Sequence, residues 1–247
     1  MIKNKIIDLN CDMAELNQVN DIAFMPYISS CNICCGAHAG SPEKILTTIR
    51  NAIKHKLKIG AHPAYPDREN FGRKSMDIPT KELRNTLLAQ IIYIKELVEK
   101  EGGTLHHVKP HGALYNDIFY EEDKLDCLID VVKTIDPSLK IYALANTQLL
   151  NKLDQAGVVS VAEAFMDRRY TGEALLADRN LKGAVFHTLD QVKAQLDFLL
   201  EGKIATAENK VYEFSFATIC LHSDTPNAEA WAKDIYHYIK AKGFEIA

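Results

Sequence analysis

Residues 107–115 read His-Val-Lys-Pro-His-Gly-Ala-Leu-Tyr, and this stretch places three ionisable side chains at alternate positions. Alternate residues of an extended strand share one face, so His107, Lys109 and His111 are predicted to point into the same space. A proline and a glycine then end the strand and begin a loop. Crowded cationic groups cost stability unless negative charge lies among them. We therefore expect a substrate carboxylate, a phosphate or carboxylates from neighbouring strands beside this stretch.

Short apolar segments alternate with longer amphipathic ones along the 247 residues. Strands are predicted at residues 5–10, 29–33, 58–61, 105–109, 141–145, 158–162 and 217–221. Helices are predicted at residues 42–56, 80–101, 121–135, 147–156, 188–201 and 226–243. This alternation is typical of a parallel sheet covered by helices. The sequence therefore predicts an α/β protein, a single incomplete (β/α) TIM-like barrel of about seven parallel strands over residues 1–247, with a doubly wound open sheet as the alternative.

Two predicted helices share a start signal, a capping hydroxyl followed by proline at the first helical position. These pairs are Ser41-Pro42 and Thr225-Pro226. The spacing of Cys31 and Cys34 matches a CxxC pair, but no predicted helix starts beside it and no second CxxC follows. We therefore interpret both as buried thiols rather than a redox or zinc motif.

Composition restricts the classes of function. The formal net charge is -4 and the lysines and arginines are scattered, so no nucleic-acid or acidic-membrane partner is predicted. The first apolar run stops at Asp8, too early for a signal peptide, and no segment has the roughly 18 apolar residues of a membrane span. The expected location is cytoplasmic, with the six cysteines reduced. The Gly-rich fingerprints of nucleotide-binding folds are absent from the sequence.

Polar residues cluster where the predicted strands end, and in a parallel barrel those ends meet on one rim. The candidate catalytic residues are Asp12, Glu15, His38, His62, Lys109 and His111. The candidate substrate-binding residues are Asp8, Asn10, Asn32, His107, Tyr115, Glu163, Asp167, Arg168, His222 and Asp224. Asp8 has a second interpretation, as a group that only satisfies polar partners inside the barrel.

Five motifs, taken together and in order, resemble one known family. They are Asp8-Leu9-Asn10-Cys11-Asp12, Cys35-Gly36-Ala37-His38-Ala39-Gly40, Gly60-Ala61-His62-Pro63, residues 107–116, and Cys220-Leu221-His222-Ser223-Asp224-Thr225-Pro226. Over residues 6 to 243 the chain is similar to the LamB/YcsF family, the A subunit of bacterial 5-oxoprolinase. The resemblance implies a barrel like those of glycoside hydrolases and polysaccharide deacetylases. It also implies ATP-dependent cleavage of 5-oxo-L-proline to L-glutamate, with separate B and C subunits and with ATP, together with Mg2+, as co-substrate.

Phosphorylation of the lactam oxygen by ATP would create a leaving group, and water would then attack the activated carbon. This chemistry needs cations for phosphate, a base for water and donors for an oxyanion. On this hypothesis Lys109 contacts the phosphate or the oxyanion, and Asp12 and Glu15 are bases. Arg168 holds the substrate carboxylate through its planar fork. The proton donors or carriers are His38, His62, His111 and His222.

Two other hypotheses stay open. The first is a metal-dependent amidohydrolase or deacetylase, in which Asp12, His38 and His62 bind a catalytic zinc ion. The second is a non-catalytic subunit that captures the substrate and delivers it to a partner. The oligomeric state, including a homo-oligomer, is not fixed by the sequence.

Overall fold

A computed structural model describes residues 5–172, 174–225 and 227–247 of the chain. Its strands are β1 (Ile6–Met13), β2 (Ser30–Cys34), β3 (Lys58–His62), β4 (Leu105–Val108), β5 (Lys140–Leu144), β6 (Ser160–Phe165), β7 (Lys203–Ala205), β8 (Val211–Glu213), β9 (Thr218–Leu221) and β10 (Glu245–Ile246). Its α-helices are α1 (Asp21–Phe24), α2 (Pro42–Lys54), α3 (Thr80–Lys100), α4 (Gly112–Tyr120), α5 (Glu122–Ile135), α6 (Gln148–Gln155), α7 (Leu189–Leu200) and α8 (Ala228–Ala241). A short 3-10 helix, Met25–Tyr27, follows α1.

The seven predicted strands form a closed parallel barrel. Strands β1, β2, β3, β4, β5, β6 and β9 pair in that order, and β1 also pairs with β9, which closes the ring. The open-sheet alternative is therefore wrong, because an open sheet would leave two barrel strands with one neighbour each. Strand β10 adds in parallel to the start of β1, where Ile6 lies opposite Glu245.

The helices cover the barrel with the apolar faces that the periodicity predicted. The buried face of α3 consists of Leu83, Leu87, Gln90, Ile91, Ile94 and Val98. Helix α2 begins as predicted, since Pro42 occupies its first turn and the Ser41 side chain accepts a hydrogen bond from the Lys44 backbone N–H. All six cysteines, which lie within the described residues, are buried and free of disulfides, as expected. Among the described helices, none combines the length and the apolar character that crossing a membrane requires.

Three local expectations were wrong. Helix α4 follows β4 almost at once, where a loop was predicted, because Gly112 adopts a φ of 58° and turns the chain directly into the helix. The antiparallel pair β7–β8 was missed, since its strands have only three residues each. Helix α8 begins at Ala228, and the Thr225 hydroxyl donates to Asp167 instead of capping it. Pro226, part of that predicted cap, lies outside the described residues.

Candidate active site

A cavity of about 650 Å³ opens at the carboxyl ends of the barrel strands. It is bordered by the segments that follow β3, β4 and β6 and by the segment 175–180. Of the predicted site residues, its lining includes Asp12, His62, Lys109, His111, Tyr115, Arg168 and His222. The cavity thus occupies the rim where active sites of parallel barrels are built.

The opposite, amino-terminal end of the barrel holds Asp8. Its carboxylate accepts hydrogen bonds from the hydroxyls of Ser29 at 2.9 Å, Ser30 at 2.7 Å and Thr218 at 2.7 Å, and it pairs with Lys58 at 3.1 Å. Burial alone would raise the pKa of Asp8, but Lys58 and these hydroxyls outweigh burial and lower it. Asp8 does not border the cavity and serves the packing of the barrel interior, which matches its second interpretation.

The middle of the barrel is filled by a hydrogen-bonded network instead of an apolar core. The Asn10 amide donates to Glu163 at 2.9 Å and to Thr218 at 2.8 Å. The Asn32 amide donates to Asn10 Oδ1 and to Asp12 Oδ1, both at 2.8 Å. Both donors of each amide are therefore used, which fixes the side chains below the cavity.

His107 supports this network from the side. Its Nε2 lies 2.7 Å from Asn32 Oδ1, and its ring stacks on Tyr142 with 3.9 Å between centroids. Gly60 makes room for the ring, since a Cβ at that position would lie 2.2 Å from His107 Nε2. Burial and neighbouring His106 hold the pKa of His107 well below its usual value, so the ring is neutral. His107 is thus a buried structural group, in a different layer of the barrel from His111.

Lys109 lies at the centre of the site and is only 2% exposed. Its Nζ is 2.8 Å from Glu163 Oε1 and 3.0 Å from Asp12 Oδ1, and it also contacts Cys220 Sγ at 3.1 Å and Asn10 Oδ1 at 3.2 Å. Burial would lower the pKa of Lys109, but Asp12, Cys220 and Glu163 raise it well above its usual value. The ammonium is therefore charged, and its three N–H groups are engaged by the protein.

Three imidazoles and Glu15 form the wall beside Lys109. His62 Nδ1 lies 2.6 Å from the Lys109 carbonyl oxygen, and His62 Nε2 lies 3.0 Å from His111 Nδ1. Glu15 Oε1 lies 2.9 Å from His38 Nε2 and 3.1 Å from His111 Nδ1. His38 stacks on His111 with 3.8 Å between centroids.

The surroundings of the two carboxylates and of the imidazoles shift their pKa values in different directions. Burial would raise the pKa values of Asp12 and Glu15, but the neighbouring cationic and imidazole groups lower both well below the usual range. Burial and His111 lower the pKa of His38 to about 4. Burial would also lower the pKa of His62, but Asp12 and Glu15 raise it. Both carboxylates are therefore ionised, while His62 is the imidazole that most readily takes a proton.

Three sets of side chains bring metal-ligating atoms within 4.8 Å of one another among the described residues. They are Asp12 with His62 and His111, Glu15 with His38 and His111, and Asp12 with Cys220 and His222. The set expected from the sequence, Asp12 with His38 and His62, is not one of them. His38 turns its Nε2 to Glu15, and His111 takes the place beside Asp12 and His62.

Asp167 and His222 form a second acid–imidazole pair on the cavity rim. His222 Nδ1 lies 2.9 Å from Asp167 Oδ1, and the His222 backbone N–H donates to Oδ2 at 3.0 Å. The Thr225 hydroxyl adds a hydrogen bond of 2.5 Å. Burial would raise the pKa of Asp167, but His222 and Thr225 lower it to about 2. Asp167 thus orients His222, whose other ring nitrogen is left for a ligand in the cavity.

Arginines form the outer part of the cavity. Arg168 is 8% exposed and donates to the Ala177 carbonyl oxygen at 2.7 Å, and its Nε has no hydrogen-bond partner among the described residues. Asp224 lies between Arg73 and Arg179 and pairs with both, with a distance of 2.8 Å to Arg179. Arg168 is thus a buried cation with an unused donor beside the cavity, as an anion-binding group requires.

The structure brings most of the predicted residues together, although not all on the cavity surface. The predicted residues that lie behind the lining are Glu15, His38, Asn10, Asn32, His107, Glu163 and Asp167. The sequence reasoning missed Arg73 and Arg179, which line the mouth, and Phe165 and Cys220, which contact Lys109. The candidates were selected as polar residues at strand ends, and neither phenylalanine nor cysteine fits that criterion. Both arginines lie in further segments that resemble the family, Phe71-Gly72-Arg73 and the loop from Asp167 to Arg179.

Comparisons with known proteins agree with this architecture. Residues 7–247 match the LamB/YcsF family. The chain is 38% identical over 243 residues to the A subunit of 5-oxoprolinase from Histophilus somni (strain 129Pt), with 98% of each chain covered. It is also 38% identical over 245 residues to a 5-oxoprolinase A subunit, the one numbered 1, of Agrobacterium fabrum (strain C58 / ATCC 33970), covering 97% of this chain and 96% of that protein.

Comparison with solved structures identifies proteins that share this barrel fold. The lactam utilization protein from Thermus thermophilus superposes with a TM-score of 0.90 and 33% identity, with 98% of both chains covered. A putative cellobiose-phosphate cleavage protein from Enterococcus faecalis V583 has a TM-score of 0.61 at 13% identity, covering 99% of this chain and 97% of that one, which shows a shared fold alone. With a family match over nearly its whole length and relatives well above 30% identity, the chain belongs to the LamB/YcsF family.

Proposed function

We propose that this chain is the A subunit of a cytoplasmic 5-oxoprolinase, which opens 5-oxo-L-proline to L-glutamate while ATP is hydrolysed to ADP and phosphate. The observation that carries the proposal is the cavity itself, whose lining brings the buried Arg168 together with Asp12, His62, His111 and His222. Similarity over nearly the full length to proteins named as the A subunit of 5-oxoprolinase supports the choice of reaction. Their name also supports an assembly with other subunits, which we propose to be B and C.

Arg168 is proposed to hold the carboxylate of 5-oxoproline. A guanidinium matches a carboxylate in geometry, and such pairs are stronger than neutral hydrogen bonds. Arg168 is buried and its Nε–H has no partner within the described part of the chain, so binding a carboxylate would satisfy a donor that otherwise costs free energy. This contact would orient the lactam ring towards the carboxylates at the floor of the cavity.

Lys109 is proposed to act through its neighbours instead of by direct contact with phosphate. Its N–H groups are engaged by Asp12, Glu163, Asn10 and Cys220, so a substrate oxygen would have to displace one of them. The ammonium keeps Asp12 ionised, and an ionised carboxylate at the cavity floor can accept a proton from attacking water. Lys109 is therefore a positioning residue in this proposal.

Proton transfer to and from the lactam is proposed to use His62 and His222. Both border the cavity and each has a carboxylate partner, Asp12 at 3.4 Å for His62 and Asp167 at 2.9 Å for His222. Asp167 engages Nδ1 of His222 and so orients its ring, whereas Asp12 meets His62 at Nε2 and favours a proton on that ring. Glu15 Oε1 lies 3.1 Å from His111 Nδ1, and Glu15 is a further candidate base.

Mg-ATP is proposed to enter from the mouth, where Arg73 and Arg179 would meet its phosphates. Asp224 now pairs with both arginines, so phosphate binding would compete with that carboxylate. Activation of the lactam oxygen as a phosphate ester would turn it into a leaving group.

Reconstitution tests the proposal. The chain is combined with B and C subunits and 5-oxoproline, and glutamate and ADP are measured in the same samples. We expect coupled formation of both products, which stops when this chain is omitted or carries Lys109→Met. Lys81→Met, an exposed lysine at the start of α3, is the matched control and should retain activity.

Two results would refute this function. One is glutamate formation that proceeds equally well without the chain. The other is coupled turnover that Lys109→Met leaves unchanged while the protein remains folded by circular dichroism. Calorimetry with 5-oxoproline and with ATP on the isolated chain separates catalysis from the delivery hypothesis, because a delivery subunit would bind 5-oxoproline but not ATP.

A further inference from the structure

We propose that Asp12, His62 and His111 bind one divalent transition-metal ion, with Zn2+ as the best match, at the floor of the cavity. Each of the three residues offers a ligand atom within 4.8 Å of the other two, and we assign these atoms as Asp12 Oδ2, His62 Nε2 and His111 Nδ1. The proposal concerns metal binding by this chain alone. It goes beyond the proposed function and does not depend on it.

Backbone carbonyl groups fix the tautomers of both histidines. His62 Nδ1 lies 2.6 Å from the Lys109 carbonyl oxygen and must donate to it, which leaves Nε2 as the free nitrogen. His111 Nε2 lies 2.9 Å from the Phe71 carbonyl oxygen and must donate likewise, which leaves the lone pair on Nδ1, 3.1 Å from Glu15 Oε1. Ligating histidines in proteins typically donate their other ring N–H to a carbonyl or carboxylate in this way.

The two free nitrogens face each other at 3.0 Å. Neutral imidazoles with these tautomers would oppose two lone pairs at that distance, and a metal ion between or beside them would remove that repulsion. Asp12 Oδ2 lies 3.4 Å from His62 Nε2. Ligand atoms about 2.0–2.1 Å from a tetrahedral or octahedral ion are separated by roughly 3.0–3.4 Å, which agrees with both distances.

Asp12 divides its two oxygens between different tasks. Its Oδ1 accepts from Asn32 at 2.8 Å and pairs with Lys109 at 3.0 Å. Its Oδ2 points to His62 and is available to a metal ion. Lys109 therefore orients the carboxylate without occupying the proposed coordination position.

The charge of the cluster also calls for a cation. Around Lys109 and the imidazoles lie three carboxylates, Asp12, Glu15 and Glu163, and Lys109 is the single lysine paired with them among the described residues. The Lys109 ammonium pairs with Asp12 and Glu163 but not with Glu15, which meets only imidazoles, and uncompensated buried charge is costly. A divalent ion neutralises two charges at the point where Asp12 and Glu15 both meet the histidines.

Ligand types select the kind of metal. Two imidazoles and one carboxylate suit zinc or another transition metal better than Mg2+ or Ca2+, which prefer oxygen ligands. All three ligand residues border the cavity, whereas Glu15 and His38 lie behind them. A fourth position is thus directed to the cavity, as in zinc sites with three protein ligands.

Metal content and binding are measured on the full chain. The purified protein is stripped with a chelator, and Zn2+ is added in a calorimeter. We expect one equivalent to bind, a rise in melting temperature on binding, and at least about 100-fold weaker binding in His62→Asn and in His111→Asn. His38→Asn is the matched control, since His38 belongs to the neighbouring set, and it should bind within about threefold of the wild type. Circular dichroism establishes that each variant is folded.

Cobalt substitution identifies the ligands without relying on activity. Co2+ bound by nitrogen and oxygen gives visible absorption bands, whereas a cysteine ligand adds a strong thiolate-to-metal band in the near ultraviolet. We expect the first without the second. A thiolate band would place the ion with Cys220 and His222 and overturn the assigned ligands, as would loss of binding in His38→Asn but not in His62→Asn. Failure of the folded wild type to bind Zn2+, Co2+ or Mn2+ would show that a proton occupies the position between the imidazoles and would refute the proposal.

Discussion

Substitution of Gly60 by alanine is expected to destabilise the fold, because the added Cβ would clash with the buried ring of His107. The added Cβ would lie 2.2 Å from His107 Nε2, 2.3 Å from Cδ2 and 2.6 Å from Cε1. Non-bonded carbon and nitrogen atoms need about 3.5 Å, so the ring must retreat by more than about 1 Å. The ring is held by stacking on Tyr142 and by its hydrogen bond to Asn32, and it is fully buried.

The cost follows from these two constraints. Overpacking of a close-packed interior costs about 1–3 kcal/mol. Loss of the buried hydrogen bond between His107 and Asn32 adds about 1–2 kcal/mol. We therefore expect Gly60→Ala to lower the free energy of unfolding by about 2–5 kcal/mol, which for a chain of this size corresponds to a fall in melting temperature of roughly 5–15 °C.

Urea unfolding followed by circular dichroism measures this loss. Gly172→Ala is the matched control, because the atom nearest to its added Cβ is Glu208 Oε2 at 3.7 Å, an ordinary contact. It should change the free energy of unfolding by less than about 0.5 kcal/mol. In a His107→Ala background the clash is gone, so Gly60→Ala should cost less than about 1 kcal/mol there. An equal cost in both backgrounds, or a near-neutral effect in the wild type, would refute the contact.

Three further outcomes are expected. Lys109→Met leaves Asp12 and Glu163 buried without their cation, so urea unfolding should show a loss of about 3–5 kcal/mol that is smaller at pH 5 than at pH 8, and a loss independent of pH would contradict this account. Arg168→Gln should raise the KM of the reconstituted enzyme for 5-oxoproline about 10- to 100-fold, and an unchanged KM would exclude Arg168 as the carboxylate anchor. The pKa of Asp167 is lowered to about 2, so its ionised form stabilises the fold above pH 4 and this stabilisation, roughly 2 kcal/mol, is lost as the pH falls towards 2. The stability difference between wild type and Asp167→Asn, measured by urea unfolding, should therefore be constant from pH 7 to pH 5 and shrink below pH 4. A difference that grows on acidification would show that the ionised form of Asp167 does not stabilise the fold.

Strand positions could be predicted from the sequence because each barrel strand is a short apolar run that ends in polar residues. Helix α4 could not, since Gly112 and Pro110 are typical of loops and only the tertiary contacts show why they are there. A Cβ on Gly112 would lie 2.4 Å from the Gly72 carbonyl oxygen, so the glycine allows two segments to touch while its positive φ starts the helix. That requirement involves a residue 40 positions away and leaves no local pattern.

The candidate site was predictable in its residue types but not in its depth. Alternation predicts that His107, Lys109 and His111 share one face. His107 and Lys109 do both point into the barrel interior. It gave no measure of how far each lies from the rim, so His107 was grouped with His111. Periodicity also gave no reason to include Cys220, because a cysteine in an apolar strand looks like any core residue.

One chain of hydrogen bonds joins the outer surface of the barrel to the carboxylate at the cavity floor. Lys140 donates to His106 Nε2 at 3.1 Å, His106 Nδ1 lies 3.0 Å from His107 Nδ1, and His107 Nε2 lies 2.7 Å from Asn32 Oδ1. Burial lowers the pKa values of both histidines, so each is neutral and has one donor and one acceptor nitrogen. Since Lys140 can only donate, every later donor in the chain is determined, up to the Asn32 amide that donates to Asp12 Oδ1.

The direction of that chain explains why the barrel interior is polar. An apolar core would cost less to bury, but it could not fix which oxygen of Asp12 faces the cavity. Here Asn32 and Lys109 both hold Oδ1, and the other oxygen is left towards His62 and the ligand. The buried network is less stable than an apolar core would be, but it sets the charge and the orientation of the Asp12 carboxylate before a substrate or a metal ion binds. Preorganised catalysis requires such a fixed group.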